Sequence, residues 1–453
     1  MTQVEHKGSL GRTRAMSRLK GAFDLHIHSG ADWVARLLSD EEAVLEARAA
    51  GMSGILLKSH SRHTLEACRR MQRKCGGTCR AFAGLVLNSM ELVADVEGVT
   101  RLIQNGVNVV YMPTTMAAND ANPLHRERAR VSITQNGGLV DSLREILKAA
   151  AKHNCAVATG HCGRYERSVL LSACARAGVK TVLVTHPEYH VTEMTLDEQC
   201  RMAERFPNVL FERTLYSLID EASARSQPGL MKIMPERLNR MIAGIRATGA
   251  RRTILTSDLG QTFLPRPVEG FAAFLETLAN SGISETDIEI MTRVNPLCCL
   301  GLHDRMLAET LRVAFEDGRG EFGSSFRKPL IGWAHADDTL FAEFRRCANR
   351  DHRLPGDVLP GAASVISVFL PFGKDLVDTN RPGKRPSPEW CRAYTDANVF
   401  LDMLTASLCD SIRRAGFEAA RSAAAHHLTG CHDPNIDAGL LTSNWSQRHV
   451  AYA

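Results

Sequence analysis

Apolar and polar positions along the first two-thirds of the chain fall into a repeating block pattern. A short run rich in Val, Ile, Leu and Phe is followed by a longer stretch with helical spacing, and the pair recurs. The short runs are Phe23–His28, Gly54–Lys58, Arg80–Leu87, Asn108–Pro113, Ala156–His161, Thr181–His186, Asn208–Glu212 and Thr253–Asp258. Near-continuous apolar runs of this length suit strands buried on both faces of a parallel sheet. The intervening stretches read as helices: one opens at Ser39-Asp40-Glu41-Glu42, and others cover Asp141–His153, Glu166–Ala177, Leu196–Phe206, Pro235–Ala247 and Val268–Ser281. Ser/Asp starts and Gly stops are ordinary helix punctuation. Eight strand–helix pairs over about 280 residues predict an α/β fold of the (β/α)8 TIM-barrel type. An open, doubly wound sheet is the main competitor. It usually carries a Gly-rich turn after its first strand, where this chain places histidines.

Two stretches interrupt the rhythm. Met116–Gly138 is long and polar and follows the fourth strand, so it is expected over the barrel mouth as a lid or substrate loop, or as a plain surface excursion. Glu316–Trp333 holds Gly318, Gly320, Gly323, Ser324 and Ser325 and reads as a linker. Beyond it, Ser364–Leu370 is a strand ended by Pro371, and Trp390–Gly416 is a long amphipathic helix. The expected organisation is a basic tail over residues 1–20, a barrel over 21–303, a connecting helix and linker over 304–334, and a smaller α+β domain over 335–453.

The candidate chemistry stands at the C-terminal ends of the strands, the face at which barrel active sites gather. Strand one ends in Asp24-Leu25-His26-Ile27-His28, and residues two apart on a strand project to the same side. Strand two ends in Lys58-Ser59-His60, strand five in Gly160-His161, strand six in Thr185-His186-Pro187 and strand eight in Ser257-Asp258. Each piece alone is weak. A His-x-His pair is more often structural, and a strand-end Asp usually caps the next helix. Together, buried imidazoles and a carboxylate are costly unless paired or bound to a cation. His26, His28, His161, His186 and Asp258 are therefore the expected ligands of a divalent metal: zinc first, with manganese, iron or nickel as alternatives. A cation so placed lowers the pKa of a bound water from ~15.7 towards ~7. Asp258 can also relay a proton from the attacking water to the leaving group.

Lys58 and His60 are further catalytic candidates, Lys58 to polarise a carbonyl and His60 as an added ligand or oxyanion donor. A buried Lys58 must pair with a charge, lose its proton or be carboxylated. Glu212 and Arg164 are candidate substrate-binding charges. The plainer alternative is an ion pair of Glu212 with Arg213 or Arg164.

Composition narrows the setting. The net charge of +5 is mild for 453 residues, and no Lys/Arg-rich run suggests a nucleic-acid groove. No apolar run is long enough to span a bilayer, so no membrane partner is expected. Lys7, Arg12, Arg14, Arg18 and Lys20 face one acid, Glu5, without an apolar core, which is unlike a signal peptide. The 13 Cys are scattered, and Cys75 and Cys79 have no second pair at zinc-ribbon spacing. Reduced thiols and a cytoplasmic location fit this usage. The expected partner is a small-molecule substrate, and a homo-oligomer is left open.

These motifs resemble the amidohydrolase superfamily. Its pattern is His-x-His on strand one, Lys or Glu on strand four, single His on strands five and six, and Asp on strand eight. His26, His28, His161, His186 and Asp258 match it, and Asn295-Pro296 with Leu300-Gly301-Leu302 looks like the segment that closes such barrels. More closely, Asp24–Gly30, Leu57-Lys58-Ser59-His60, Gly160-His161 and Thr185-His186-Pro187 resemble a little-characterised amidohydrolase-like family. Strand four, Val110-Tyr111-Met112-Pro113-Thr114, departs from the pattern by lacking the bridging Lys or Glu. The resemblance thus implies a metal-dependent hydrolase with a single ion, unless Lys58 or His60 supplies a second site. Histidinol-phosphatase-like phosphoesterases also begin with His-x-His but usually end in Asp-x-His, whereas Asp258 precedes Leu259-Gly260. A phosphoesterase, a decarboxylase and a noncatalytic scaffold partnering an iron–sulfur reductase are the alternatives.

The tail resembles something else. Leu354-Pro355, Leu359-Pro360-Gly361-Ala362 and Ser364–Pro371 look like the amino-terminal part of epoxyqueuosine reductase-like iron–sulfur proteins, and His449–Ala453 like the point where that family enters its ferredoxin-like half. Cys347, Cys391, Cys409 and Cys431 lack cluster-binding spacing, so no iron–sulfur cluster is expected in this chain.

Overall fold

The computed structural model describes residues 15–75, 79–120, 130–229, 231–322, 325–347, 352–381, 385–415 and 417–421. Two compact units emerge, Met1–Met306 and Leu307–Ala453.

The first unit is the barrel. Its strands are β1 (Phe23–His28), β2 (Gly54–Lys58), β3 (Arg80–Val86), β4 (Val107–Tyr111), β5 (Ala156–Ala158), β6 (Val182–Thr185), β7 (Val209–Thr214) and β8 (Thr253–Thr256). They lie side by side in sequence order, and every neighbouring pair is parallel. Closure comes just past β8: the Asp258 amide donates to the His26 carbonyl and the His28 amide to the Leu259 carbonyl, both at 2.8 Å. Asp24 adds to the seam, its Oδ1 accepting from the Ser257 amide at 3.0 Å. All residues of β1 and β2 are buried, as strands covered on both faces must be.

Local signals set the helix starts. Ser39 and Glu42 form a capping box at Asp40–Ala49, each satisfying the other's backbone amide. Pro stands at the first turn of both Pro235–Thr248 and Pro267–Asn280, where its missing N–H costs nothing.

Two expectations at the margins need correction. The basic stretch at residues 1–20 is not wholly a tail. Leu19 is fully buried, and the buried Arg18 pairs with Glu276 and Glu285, so the barrel unit reaches back at least to Ala15. Residues 1–14 lie outside the described residues. Glu316–Trp333 is not simply a linker either. The helix His303–Phe322 runs through Gly318 and Gly320. A Cβ on Gly318 would come within 2.6 Å of Phe400 Cε2, so this glycine serves close helix packing rather than a turn.

In the second unit, Phe315 and Phe322 stack on Phe400 of the helix Pro388–Arg414, with ring centroids 5.5 and 4.6 Å apart. An antiparallel pair, β9 (Leu330–His335) and β10 (Ser364–Phe369), completes an α+β unit. β9 occupies part of the expected linker. Cys431 and His449–Ala453 lie outside the described residues. No described helix is long and apolar enough to cross a membrane.

Candidate metal centre

On β1, the alternation of a strand turns Asp24, His26 and His28 to one face, and all three are at most 2% exposed. The same rim receives Lys58 at the end of β2 and Tyr111 at the end of β4. His161 follows β5, His186 follows β6, and Asp258 lies two residues past β8.

The Asp258 carboxylate is the point of convergence. Its Oδ1 lies 3.0 Å from His26 Nε2 and 3.1 Å from His28 Nε2, and its Oδ2 lies 3.4 Å from His186 Nε2. Donor atoms of His26, His186 and Asp258 all fall within 4.8 Å of one another. The strand-end imidazoles and the carboxylate thus meet around one point. Lys58 Nζ approaches the same His26 Nε2 at 2.8 Å and sits 4.5 Å above the Tyr111 ring.

Among the described residues the Nδ1 atom of His28 has no hydrogen-bond partner, but those of the other imidazoles are committed elsewhere. His26 Nδ1 contacts Glu212 Oε1 at 2.7 Å, and His161 Nδ1 contacts Asp120 Oδ2 at 2.6 Å. A carboxylate can only accept there, so each Nδ1 carries a proton, and in the neutral ring Nε2 keeps its lone pair. His60 Nδ1 is held by a hydroxyl instead. Asn88 Nδ2 donates to Thr114 Oγ1 at 3.0 Å, and Thr114 Oγ1 lies 3.0 Å from His60 Nδ1. His186 Nδ1 is held by Thr214 Oγ1 at 3.1 Å and Ser217 Oγ at 3.3 Å. Imidazoles held by oxygens at Nδ1 and open at Nε2 are the arrangement of metal-ligating histidines.

Electrostatics agree. Burial keeps His28 and His186 neutral, with pKa values pushed down to about 4 and about 3. Burial would raise Asp258, but the neighbouring His26, His28 and His186 hold it well below the usual carboxylate range. Burial also opposes protonation of His26, yet Asp258 and Glu212 on either side raise it. Neutral His28 and His186 beside an ionised Asp258 are the donor chemistry that a borderline divalent cation takes. The residues therefore fit the expected metal.

Residues 21–210 match the model of a family of unknown function (DUF6282). No curated protein matches the sequence. Among solved structures, the chain is similar to an amidohydrolase from Pseudomonas aeruginosa (13% identity, 64% of this chain, 98% of that one, TM-score 0.45). It is also similar to a probable dipeptidase from the same organism (10% identity, 66% and 99%, TM-score 0.46). A third is a putative 2-pyrone-4,6-dicarboxylic acid hydrolase from Pseudomonas putida (16% identity, 62% and 97%, TM-score 0.42).

Other candidates from the sequence find different places. His161 stands beside His186, ring centroids 5.6 Å apart, at the edge of the cluster rather than inside it. His60 stacks on His28 at 4.5 Å, and burial lowers its pKa well below the ordinary value. Burial also lowers the pKa of Lys58.

Glu212 is fully buried and holds His26 Nδ1, and it does not pair with Arg164, which goes to Glu198. Nor does it pair with Arg213. Successive strand residues face opposite sides, and Arg213 turns away to Glu188 and Gln199. Arg164 is exposed and pairs with Glu198, so it does not face the cluster's acids.

Three participants carried no sequence signal. Asp120 reaches His161 from the loop after β4. Asp32 and Arg36 come from the loop after β1 and pair beside His28. Of the expected lid, residues 121–129 lie outside the described residues, and a hairpin joins Thr134–Gln135 to Gly138–Leu139.

Proposed function

We propose that the barrel is a metal-dependent hydrolase of the amidohydrolase type, cleaving an amide, lactone or ester bond of a small molecule. The observation that carries this reading is the meeting of three imidazole Nε2 atoms on the Asp258 carboxylate. His26, His28 and His186 would hold the ion with Asp258, and His161 would join from the edge. The cation supplies Lewis-acid polarisation and a water of lowered pKa. Asp258, ionised and flanked by imidazoles, takes a proton from the attacking water and passes it to the leaving group. Lys58 at the same rim polarises the scissile carbonyl. His26 is kept in one tautomer by Glu212, so its Nε2 faces the reaction without rotating. Zinc suits this donor set best. The C-terminal unit is proposed to be a noncatalytic appendage.

Purified protein, chelator-stripped and then reloaded with zinc or manganese, is assayed on amides, lactones, carboxylic esters and phosphoesters, with carbon dioxide release followed in parallel. Metal-dependent cleavage of a carbon-centred bond is expected, falling at least ~100-fold in Asp258→Asn, as loss of a positioned base implies. Full metal occupancy with no turnover would favour a scaffold. Turnover indifferent to chelation would refute the proposal outright.

A further inference from the structure

The loop from Ser29 to Ser39 carries three side chains that the hydrolytic scheme leaves unused: Asp32, Trp33 and Arg36. It is pinned at several points. The Gly30 amide donates to the Leu38 carbonyl and the Leu37 amide to the Gly260 carbonyl, both at 2.8 Å, and Arg36 bridges Gln261. Gln261 lies three residues past Asp258, so the loop is fastened to the segment that carries the central carboxylate.

Asp32 and its neighbours His28 and His60 form a second group of potential metal donors. Its bonding argues against a cation there. Oδ1 accepts from the Trp33 amide at 2.8 Å and the His60 amide at 3.0 Å. Oδ2 accepts from Arg36 Nε at 3.0 Å and Nη2 at 2.5 Å. Four bonds fill the carboxylate's lone-pair positions. Arg36 already supplies that carboxylate with a positive partner.

Arg36 is the more informative partner. Its side chain is 3% exposed, so a full charge is buried at the rim of the cluster. Both of its hydrogen bonds leave one edge of the guanidinium and end on a single oxygen. Nη1 has no partner among the described residues. Asp32, the partner of Arg36, accepts from the His60 amide at 3.0 Å and lies 3.8 Å from His28 Nδ1, so the guanidinium stands beside the metal donors. Beside it, the Trp33 ring lies near-parallel to His60, 6.4 Å between centroids and 21° between planes. Asp32 already balances the Arg36 charge on one edge, and the remaining edge of the planar fork has the shape that takes a carboxylate.

We propose that Arg36 anchors a carboxylate of the substrate, which makes the substrate class anionic: an amide, lactone or ester that also bears a free carboxylate. This rests on the metal-centre reading, since the carboxylate is recognised beside the bond being cleaved. Asp32 and the pinned loop pre-orient the guanidinium. Arg36 is thus a specificity residue that takes no part in the proton transfers.

The test uses full-length protein loaded with zinc, its content verified by elemental analysis, and calorimetric titration with glutarate and with monomethyl glutarate. One carboxylate of either probe can occupy the ion, and only glutarate has a second for Arg36. Glutarate is expected to bind roughly tenfold more tightly, the scale of a charge-assisted pair. In Arg36→Met that advantage should fall below about threefold with zinc content unchanged, and Arg36→Lys should keep part of it. Equal affinities in the wild type, or an undiminished advantage in Arg36→Met, would overturn the proposal. Should Arg36→Met fail to fold, the wild-type comparison and Arg36→Lys still decide. Absence of zinc in the wild type would instead show that the metal reading itself had failed.

Discussion

His186 and Asp258 hold left-handed backbone conformations, with φ of +56° and +55°. For a residue with a Cβ that costs ~1–3 kcal/mol, and such strain collects where a side chain must be aimed. Both residues stand just past the end of a strand, and the sharp reversal turns their side chains towards each other. The same economy explains the Nδ1 partners. Glu212 and Asp120 each fix one imidazole, yet they come from a strand and from a loop. Asp120→Asn keeps the shape but removes the charge that holds the His161 tautomer. Zinc affinity, measured by competition with a chelator, is expected to weaken ~10–100-fold, the usual effect of losing such a partner. Unchanged affinity would remove His161 from the ligand set.

At the scale of elements, the centre depends on how β1 meets the segment past β8. Gly260, at φ +133°, crosses so close that a Cβ there would lie 1.8 Å from the His28 carbonyl oxygen. No side-chain rotation relieves a clash with backbone. Gly260→Ala is therefore expected to cost at least ~2 kcal/mol and to lower both the melting temperature and zinc occupancy. An unaltered melt would show that the seam is looser than the geometry implies.

The strand ends were the legible part of the site. His26 and His28 follow from a period of two, and Lys58, His186 and Asp258 from where apolar runs stop. The eight barrel strands were legible for the same reason. Asp120, Asp32 and Arg36 were not, because irregular loops have no period from which a direction can be read. Glu212 was visible as a strand residue, but its partner lies on β1 and leaves no local trace. Gly318 misled because a glycine that admits a neighbouring Phe looks like one that makes a turn.

At the scale of the molecule, the division at Met306/Leu307 assigns all the named metal donors to the first unit. The barrel's closed, parallel sheet holds those donors on rigid strand ends, while the loops supply the charges that tune and select. The central claim is that one divalent ion is held by the histidines of β1 and the one following β6, with Asp258. X-ray absorption spectroscopy at the zinc edge of loaded, full-length protein tests it most directly. The account predicts one zinc per chain, a nitrogen/oxygen shell at ~2.0–2.1 Å, outer-shell scattering from at least three imidazoles, and loss of that signature in His26→Ala. A sulfur shell at ~2.3 Å, too few imidazoles, or no retained zinc would contradict it.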